Sequence, residues 1–246
     1  MADVSDYHQV FAEFHGLGDA YGVFRAVLED VAGKVDFGRV RRCVALGTGS
    51  AQREIDFVRR LMPNLRSFVA VEPDSKWVEE LRANFRKGLL RDVETSAVES
   101  SIQSWSGVDG RVDAVLLFNV LHYLDAADRK ALYRNLTTHC LNDGGLVAIS
   151  QSVDSETSGY IVAMARLGGK RRVGYDEVAR EMAAAGFRAL YERDFDIRRD
   201  MFSPAVVNYV RLRSGRSESE VRAVIDDVSG LPNFHIVPNK LAIFTK

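Results

Sequence analysis

The spacing of apolar positions changes character along the chain. From Tyr7 to Val35 they recur at helical intervals, through Val10, Phe11, Phe14 and Leu17, then Tyr21, Phe24, Val27, Leu28 and Val31. Gly16, Gly18 and Gly22 interrupt the run, so it predicts two short helices. Beyond residue 40 short apolar runs alternate with helical segments. Strands are predicted at Arg42–Leu46, Phe68–Val71, Val112–Phe118, Leu146–Ser150, Phe187–Ile197 and Lys240–Thr245, with a weak one at Asp92–Thr95. Helices are predicted at Ala51–Leu61, stopped by Met62-Pro63-Asn64, at Ser75–Phe85 with Asp74 or Ser75 as cap, and at Tyr175–Ala185, stopped by Gly186. Another covers Asp128–Leu141 and ends at Asn142-Asp143-Gly144-Gly145, a stop and turn signal. Phe202–Leu212 and Ser219–Val228, joined by Arg213-Ser214-Gly215, form a helical pair ahead of the last strand.

Strand–helix alternation at this spacing implies an α/β fold. We expect a Rossmann-like, doubly wound, mainly parallel sheet with helices on both faces and a C-terminal helical insertion before the last strand. A length of 246 residues suits one domain. Within it, residues 1–38 read as an N-terminal helical segment on the substrate side, and 200–230 as an insertion that can cover substrate. Parallel sheets of this kind bind ligands beyond the carboxyl ends of their strands, where the strand order reverses. That point lies near the end of the first strand.

Composition narrows the functional classes. Lys+Arg is 33 and Asp+Glu 34, a net charge of −1. With neither a positive field nor a long basic run, nucleic acid and anionic membrane are not expected partners. Lys170-Arg171-Arg172 is a short basic stretch that a solvated loop accounts for. Cys43 and Cys140 flank or enter apolar runs without metal-like spacing and read as buried, inert thiols. The acidic start, without a signal core, and the lack of an 18–20-residue apolar stretch lead us to expect a cytoplasmic protein; a monomer is the expected state, although the sequence itself does not fix it.

Four segments carry candidate chemistry. Leu46-Gly47-Thr48-Gly49-Ser50-Ala51 joins the first strand to a helix; glycines there let the backbone turn sharply and a ligand approach it. It is not a clean Gly-x-Gly-x-x-Gly, and an ordinary strand-to-helix turn is the alternative. Val69-Ala70-Val71-Glu72-Pro73 closes the second strand with an acid some 20 residues further on, where nucleoside-binding folds use a carboxylate to accept both ribose hydroxyls. A solvated Glu at a strand end is the alternative. Glu99-Ser100-Ser101 follows the third strand region, and its hydroxyls can meet an adenine ring as well as form a plain loop. Leu117-Phe118-Asn119-Val120-Leu121-His122-Tyr123-Leu124 follows the strongest strand; polar Asn119 and His122 interrupt its apolar run and can touch substrate or cofactor, and His122 can equally be a core histidine.

Together the glycine loop, the Val-Glu-Pro strand end, the Asn-Val-Leu-His-Tyr-Leu segment and Asp143-Gly144-Gly145 resemble class I S-adenosylmethionine-dependent methyltransferases over about residues 40–150. A closer resemblance, to the histamine N-methyltransferase family, rests on Tyr7, Phe11 and Phe14, on Glu54-Ile55-Asp56, and on Leu231-Pro232-x-Phe234 with Asn239-x-Leu241. It implies S-adenosylmethionine as cofactor, with Gly47, Thr48, Gly49 and Glu72 binding it and Ser100 and Phe118 beside the adenine. It also implies an amine or imidazole substrate. Asn119 and Asn239 stand where that family has substrate-contacting amides, Asn119 and His122 are the catalytic candidates, and Tyr7 and Phe11 belong to an aromatic wall with Phe14 and Tyr21. A packed helix face accounts for those aromatics equally. Two departures are plain: Ala51-Gln52-Arg53 intervenes before Glu54, so that the loop is longer or the helix starts earlier, and Ala20 occupies the position of the family's amine-binding glutamate, leaving adjacent Asp19 as the candidate. The alternatives are a small-molecule O-methyltransferase and a catalytically inactive binding protein on the same fold. A nucleotide-dependent dehydrogenase is disfavoured by the absent third glycine and the absent Tyr-x-x-x-Lys pair.

Overall fold

The computed structural model describes residues 4–16, 20–105, 107, 109–168 and 173–246. Seven strands form one sheet in the order β3-β2-β1-β4-β5-β7-β6. They are β1 (Arg42–Leu46), β2 (Ser67–Glu72), β3 (Glu94–Glu99), β4 (Val112–Phe118), β5 (Leu141–Ser152), β6 (Arg188–Arg198) and β7 (Ile236–Thr245). Strands β1 to β5 pair in parallel, with Val44 opposite Val69 and Val115, and Val115 opposite Val147. The last strand runs the other way. Val153 N–H donates to Pro238 O, and Lys246 N–H to Gly145 O, so β7 residue numbers rise as those of β5 fall. This order, reversing at β1 and β4, gives the Rossmann-like α/β fold expected from the alternation.

Residues buried on both faces explain the clearest strands. Ala114 through Phe118 are all buried, and Cys43 through Leu46 likewise, so neither strand needs a polar face. Strand β3 is an edge with mostly exposed residues, which is why its apolar signal was weak and the expected strand starts two residues early and ends four early. The expected turn at residues 142–145 instead opens β5. A register shift between Val112 and Ala114 absorbs the extra residues there, and Gly144 adopts φ +67°. The helix before it ends sooner than predicted, as α5 (Ala126–Asn135) followed by a π-turn at Leu136–Cys140.

The remaining helices are α1 (Val4–Gly16), α2 (Ala20–Ala32), α3 (Gln52–Leu61), α4 (Ser75–Arg86), α6 (Gly159–Arg166), α7 (Tyr175–Ala184), α8 (Pro204–Ser214) and α9 (Glu218–Asp227). Asp74 caps α4 by accepting from the N–H groups of Lys76 and Trp77, and Ser217 with Glu220 forms a capping box on α9. Helix α6 was not anticipated; it is short and begins at a glycine.

The chain divides into two compact units. One comprises residues 25–151, 173–193 and 240–246, and the other 1–24, 152–172 and 194–239. The first holds most of the sheet. Its core includes Phe57, Phe68, Leu81, Leu116, Leu117 and Tyr133, and a buried Arg129 that ties α5 to Glu177 and Glu181 of α7 at 2.5 and 2.7 Å. The second is built on α1, α6, α8 and α9, around Phe14, Tyr160, Met201, Tyr209 and Phe234.

Candidate active site

At the carboxyl end of β1 the chain leaves the sheet through Gly47. Its N–H still donates to Val71 O at 2.7 Å, and its φ is already +66°. A side chain here would be strained and would collide: a Cβ on Gly47 would lie 2.2 Å from Val120 Cγ2. Thr48 is buried, and Thr48 O accepts Ala51 N–H at 2.9 Å to close the turn. Gly49 also has positive φ, +52°, but a Cβ there would meet no atom within 4 Å. Gly47 is therefore required by packing, and Gly49 by backbone conformation alone. Ala51, fully buried with φ +55°, then starts α3 in a left-handed conformation that alanine rarely adopts. Of the two alternatives for Ala51-Gln52-Arg53 the structure shows the earlier helix start, since α3 begins at Gln52.

Glu72 ends β2 on the neighbouring strand, and its carboxylate reaches the turn. Oε2 accepts Gly49 N–H at 2.8 Å and Oε1 accepts Asp74 N–H at 3.2 Å. The side chain is buried, 7% exposed, so it is no solvated strand-end acid. Behind it, Glu54 in the first turn of α3 is also buried. Burial pushes its carboxyl up to about 8; its own backbone N–H and Arg53 oppose that rise and the charge of Glu72 reinforces it.

The loop after β3 is anchored to the same strand end, since Ser100 N–H donates to Glu72 O at 3.1 Å. Its hydroxyls bond one another, Ser101 Oγ with Ser104 Oγ at 2.7 Å and Ser100 Oγ with Ser104 Oγ at 3.2 Å. Ile102 from this loop comes within 3.6 Å of where a Gly47 Cβ would stand. The turn at 47–49, Glu72 and Ser100 therefore face a common region at the ends of β1, β2 and β3.

Phe118 ends β4 within the core, its ring edge-on to Phe57 at 5.4 Å. Asn119 follows at φ +54°, and Asn119 N–H donates to Ser150 O at 2.7 Å. Among the described residues Ala51 and Asn119 are the non-glycine residues with positive φ, one at the start of α3 and the other just past β4; such conformations cluster where function fixes the backbone. His122 lies in a 3₁₀ turn, Leu121–Tyr123, half-buried, with its ring 4.1 Å from that of Tyr123.

The remaining sequence candidates belong to the other unit or lie outside the description. Phe11 and Phe14 pack on Tyr209 of α8; the Phe14 and Tyr209 rings stack at 3.9 Å. This is the packed helix face, further pinned by Arg199, whose guanidinium lies 3.9 Å from the Phe14 ring and donates to Phe14 O. Asn239 is buried and donates to Val237 O at 2.8 Å. Tyr7 lies in α1. Asp19 and Lys170-Arg171-Arg172 fall outside the described residues. Cys43 and Cys140 are buried and unbridged, as expected. Among the described residues there is no helix long and apolar enough to cross a membrane and no cluster of three metal-ligating side chains.

The segment that builds this region, residues 44–145, matches the family model described as a methyltransferase domain. The match covers under half of the chain. No curated protein matches the chain, so the finer likeness to the histamine N-methyltransferase family finds no support there. Solved structures extend the fold likeness well past the methyltransferase domain. One is the N-methyltransferase NodS from Bradyrhizobium japonicum, 12% identical, with 90% of this chain and 93% of that one covered and a TM-score of 0.56. A second is geranyl diphosphate C-methyltransferase from Streptomyces coelicolor, 16% identical, with 98% and 86% covered and a TM-score of 0.59. A third is the [4+2]-cyclase SpnF, 18% identical, with 90% and 80% covered and a TM-score of 0.59. At these identities the likeness is one of fold alone, and their differing chemistries show that the fold does not choose the reaction.

Proposed function

We propose that this chain is an S-adenosylmethionine-dependent methyltransferase acting on a nitrogen of a small amine or imidazole compound. The observation that carries the cofactor reading is the 2.8 Å bond between the Glu72 carboxylate and Gly49 N–H, which brings acid and glycine turn to one place. The pocket-side chemistry suits a nucleoside. Glu72 is the acceptor for ribose hydroxyls, the side-chain-free backbone at Gly47 and Gly49 lies against the amino-acid part, and the loop at Ser100 meets the adenine. Phe118, occupied by its packing on Phe57, supports this site through the strand it ends.

S-adenosylmethionine supplies an activated methyl group, so the protein's task is placement and exclusion of water. Asn119 is the residue best suited to orient a nucleophile: its backbone is fixed in a left-handed conformation and its amide can both donate and accept. His122, three residues further on, can accept a proton, although a neutral nitrogen attacks through its lone pair without needing a base. The choice of nitrogen over oxygen follows the resemblance carried by Asn119, Asn239 and the aromatic N-terminal segment. Asp19 is the partner proposed for an amine.

Transfer of labelled methyl from S-adenosylmethionine onto histamine, carnosine-like dipeptides and simple primary amines, beside hydroxyl compounds of equal size, tests this reading. Label on the nitrogen compounds alone is expected. Label confined to the hydroxyl compounds would move the assignment to O-methylation, and label on neither would refute the reading.

A further inference from the structure

Two polar side chains at the carboxyl end of β5 play no part in the site so far described. Ser150 and Gln151 are fully buried, yet Ser150 Oγ and Gln151 Oε1 have no hydrogen-bond partner among the described residues. Leaving a buried acceptor unmet is costly, and native proteins do so rarely and usually for function or for a bound water or ligand. The place matters as much as the orphaned atoms. Ser150 pairs in register with Phe118, and its carbonyl receives Asn119 N–H at 2.7 Å. Gln151 is thus one residue beyond the strand position bonded to the Asn119 backbone, at the ligand-binding end of the sheet.

The amide of Gln151 also has a defined orientation. Its Nε2 donates to Val173 O at 2.9 Å, which a carbonyl oxygen in that place could not do. The other end of the amide is consequently an oxygen, held in place, that requires a donor. Successive strand residues point to opposite faces, so the Ser150 hydroxyl does not serve it.

We propose that Gln151 is an acceptor-binding residue: its Oε1 receives a hydrogen bond from an N–H of the molecule to be methylated. The proposal rests on the methyl-transfer reading above and adds to it a specificity. A nitrogen compound that keeps an N–H beside its nucleophilic lone pair satisfies the buried oxygen; one whose nitrogens carry only carbon leaves it unmet. As the methyl group arrives and positive charge grows on the substrate, an N–H···O bond to a fixed carbonyl strengthens, so the contact favours the transition state over the ground state.

The test uses the full-length chain saturated with S-adenosylhomocysteine, with imidazole and 1-methylimidazole as probes at a pH where both are neutral. The native protein is expected to bind imidazole about tenfold tighter, the scale set by one buried hydrogen bond. In Gln151→Met that preference should vanish while S-adenosylhomocysteine affinity is unchanged, and the native Gln151 side-chain amide resonances, identified by their loss in the variant, should shift with imidazole only. Ser150→Ala serves as the neighbouring control and should keep the preference. Equal or undetectable binding of the two probes by the native protein, or a preference that survives in Gln151→Met, overturns the proposal. Failure of S-adenosylhomocysteine to bind the native protein would instead refute the methyl-transfer reading, so the two failures are distinct.

Discussion

Replacing Gly47 by alanine is the sharpest perturbation the site allows, because two separate costs can be read from its geometry. Alanine at φ +66° must adopt a left-handed conformation, costing about 1–2 kcal/mol. Its Cβ would also stand 2.2 Å from Val120 Cγ2 and 3.2 Å from Val120 Cβ, and Val120 is itself buried. Relieving an overpacked contact of that kind costs a further 1–3 kcal/mol or so, giving a total of about 2–5 kcal/mol. Gly49 supplies the control. It has a similar φ, +52°, but open space around its Cβ, so Gly49→Ala should cost only the conformational part, about 1–2 kcal/mol. Urea unfolding followed by the fluorescence of the buried Trp77 and Trp105 measures both. Val120→Ala in the Gly47→Ala background should recover part of the extra loss, whereas on its own it destabilises; the cycle isolates the collision. If Gly47→Ala proves no more harmful than Gly49→Ala, or shows no coupling to Val120, the account of this turn is wrong.

Three other outcomes follow from the structure. The thiols of Cys43 and Cys140 should resist a water-soluble disulfide reagent until the protein unfolds, because both are buried and burial pushes Cys140 up to about 11 and Cys43 well above its ordinary range; prompt reaction of the native protein would contradict this. Glu54 keeps its proton in the fold up to about pH 8 but loses it near pH 4.5 when unfolded, so the native state binds more protons between those limits. Its contribution therefore falls as pH rises through that window, and Glu54→Gln should flatten the decline in a pH series of unfolding curves; an unchanged slope would remove Glu54 from the explanation. Arg129→Ala should cost about 3–5 kcal/mol, as expected when a buried pair loses one member, while Arg166→Ala, whose partner Asp227 is exposed, should cost under about 1 kcal/mol. Similar losses in the two variants would contradict that ranking.

What the sequence reveals and what it hides have physical causes. Strands β1 and β4 came out with their true limits because both faces of each are buried, which writes an unbroken apolar run. The acid at 72 and the turn at 47–49 were recognisable as a pair from order and spacing, and they do meet. Their direct bond was not legible, since nothing in the sequence says that the carboxylate accepts a backbone N–H of the turn itself. Strand β3 carries little signal because an edge strand need not be apolar. The glycines at 144 and 145 looked like a turn because a β-bulge demands the same residues. Asn119 was singled out for its chemistry, yet its left-handed backbone could not be foreseen. Gln151 was missed entirely: the apolar run of β5 stops at Ile149, so the strand was ended at Ser150, one residue short of the buried amide.

The central claim is that Gly47, Gly49 and Glu72 hold one nucleoside. Calorimetric titration of S-adenosylhomocysteine into the native chain and into Glu72→Ala tests it most directly, with Glu72→Gln, which keeps one acceptor oxygen, as the intermediate. The native protein should bind, and Glu72→Ala should lose about 2–3 kcal/mol of affinity with the loss of its charge-assisted ribose bonds. Absence of binding to the native chain, or equal affinity in a folded Glu72→Ala variant, would contradict the account.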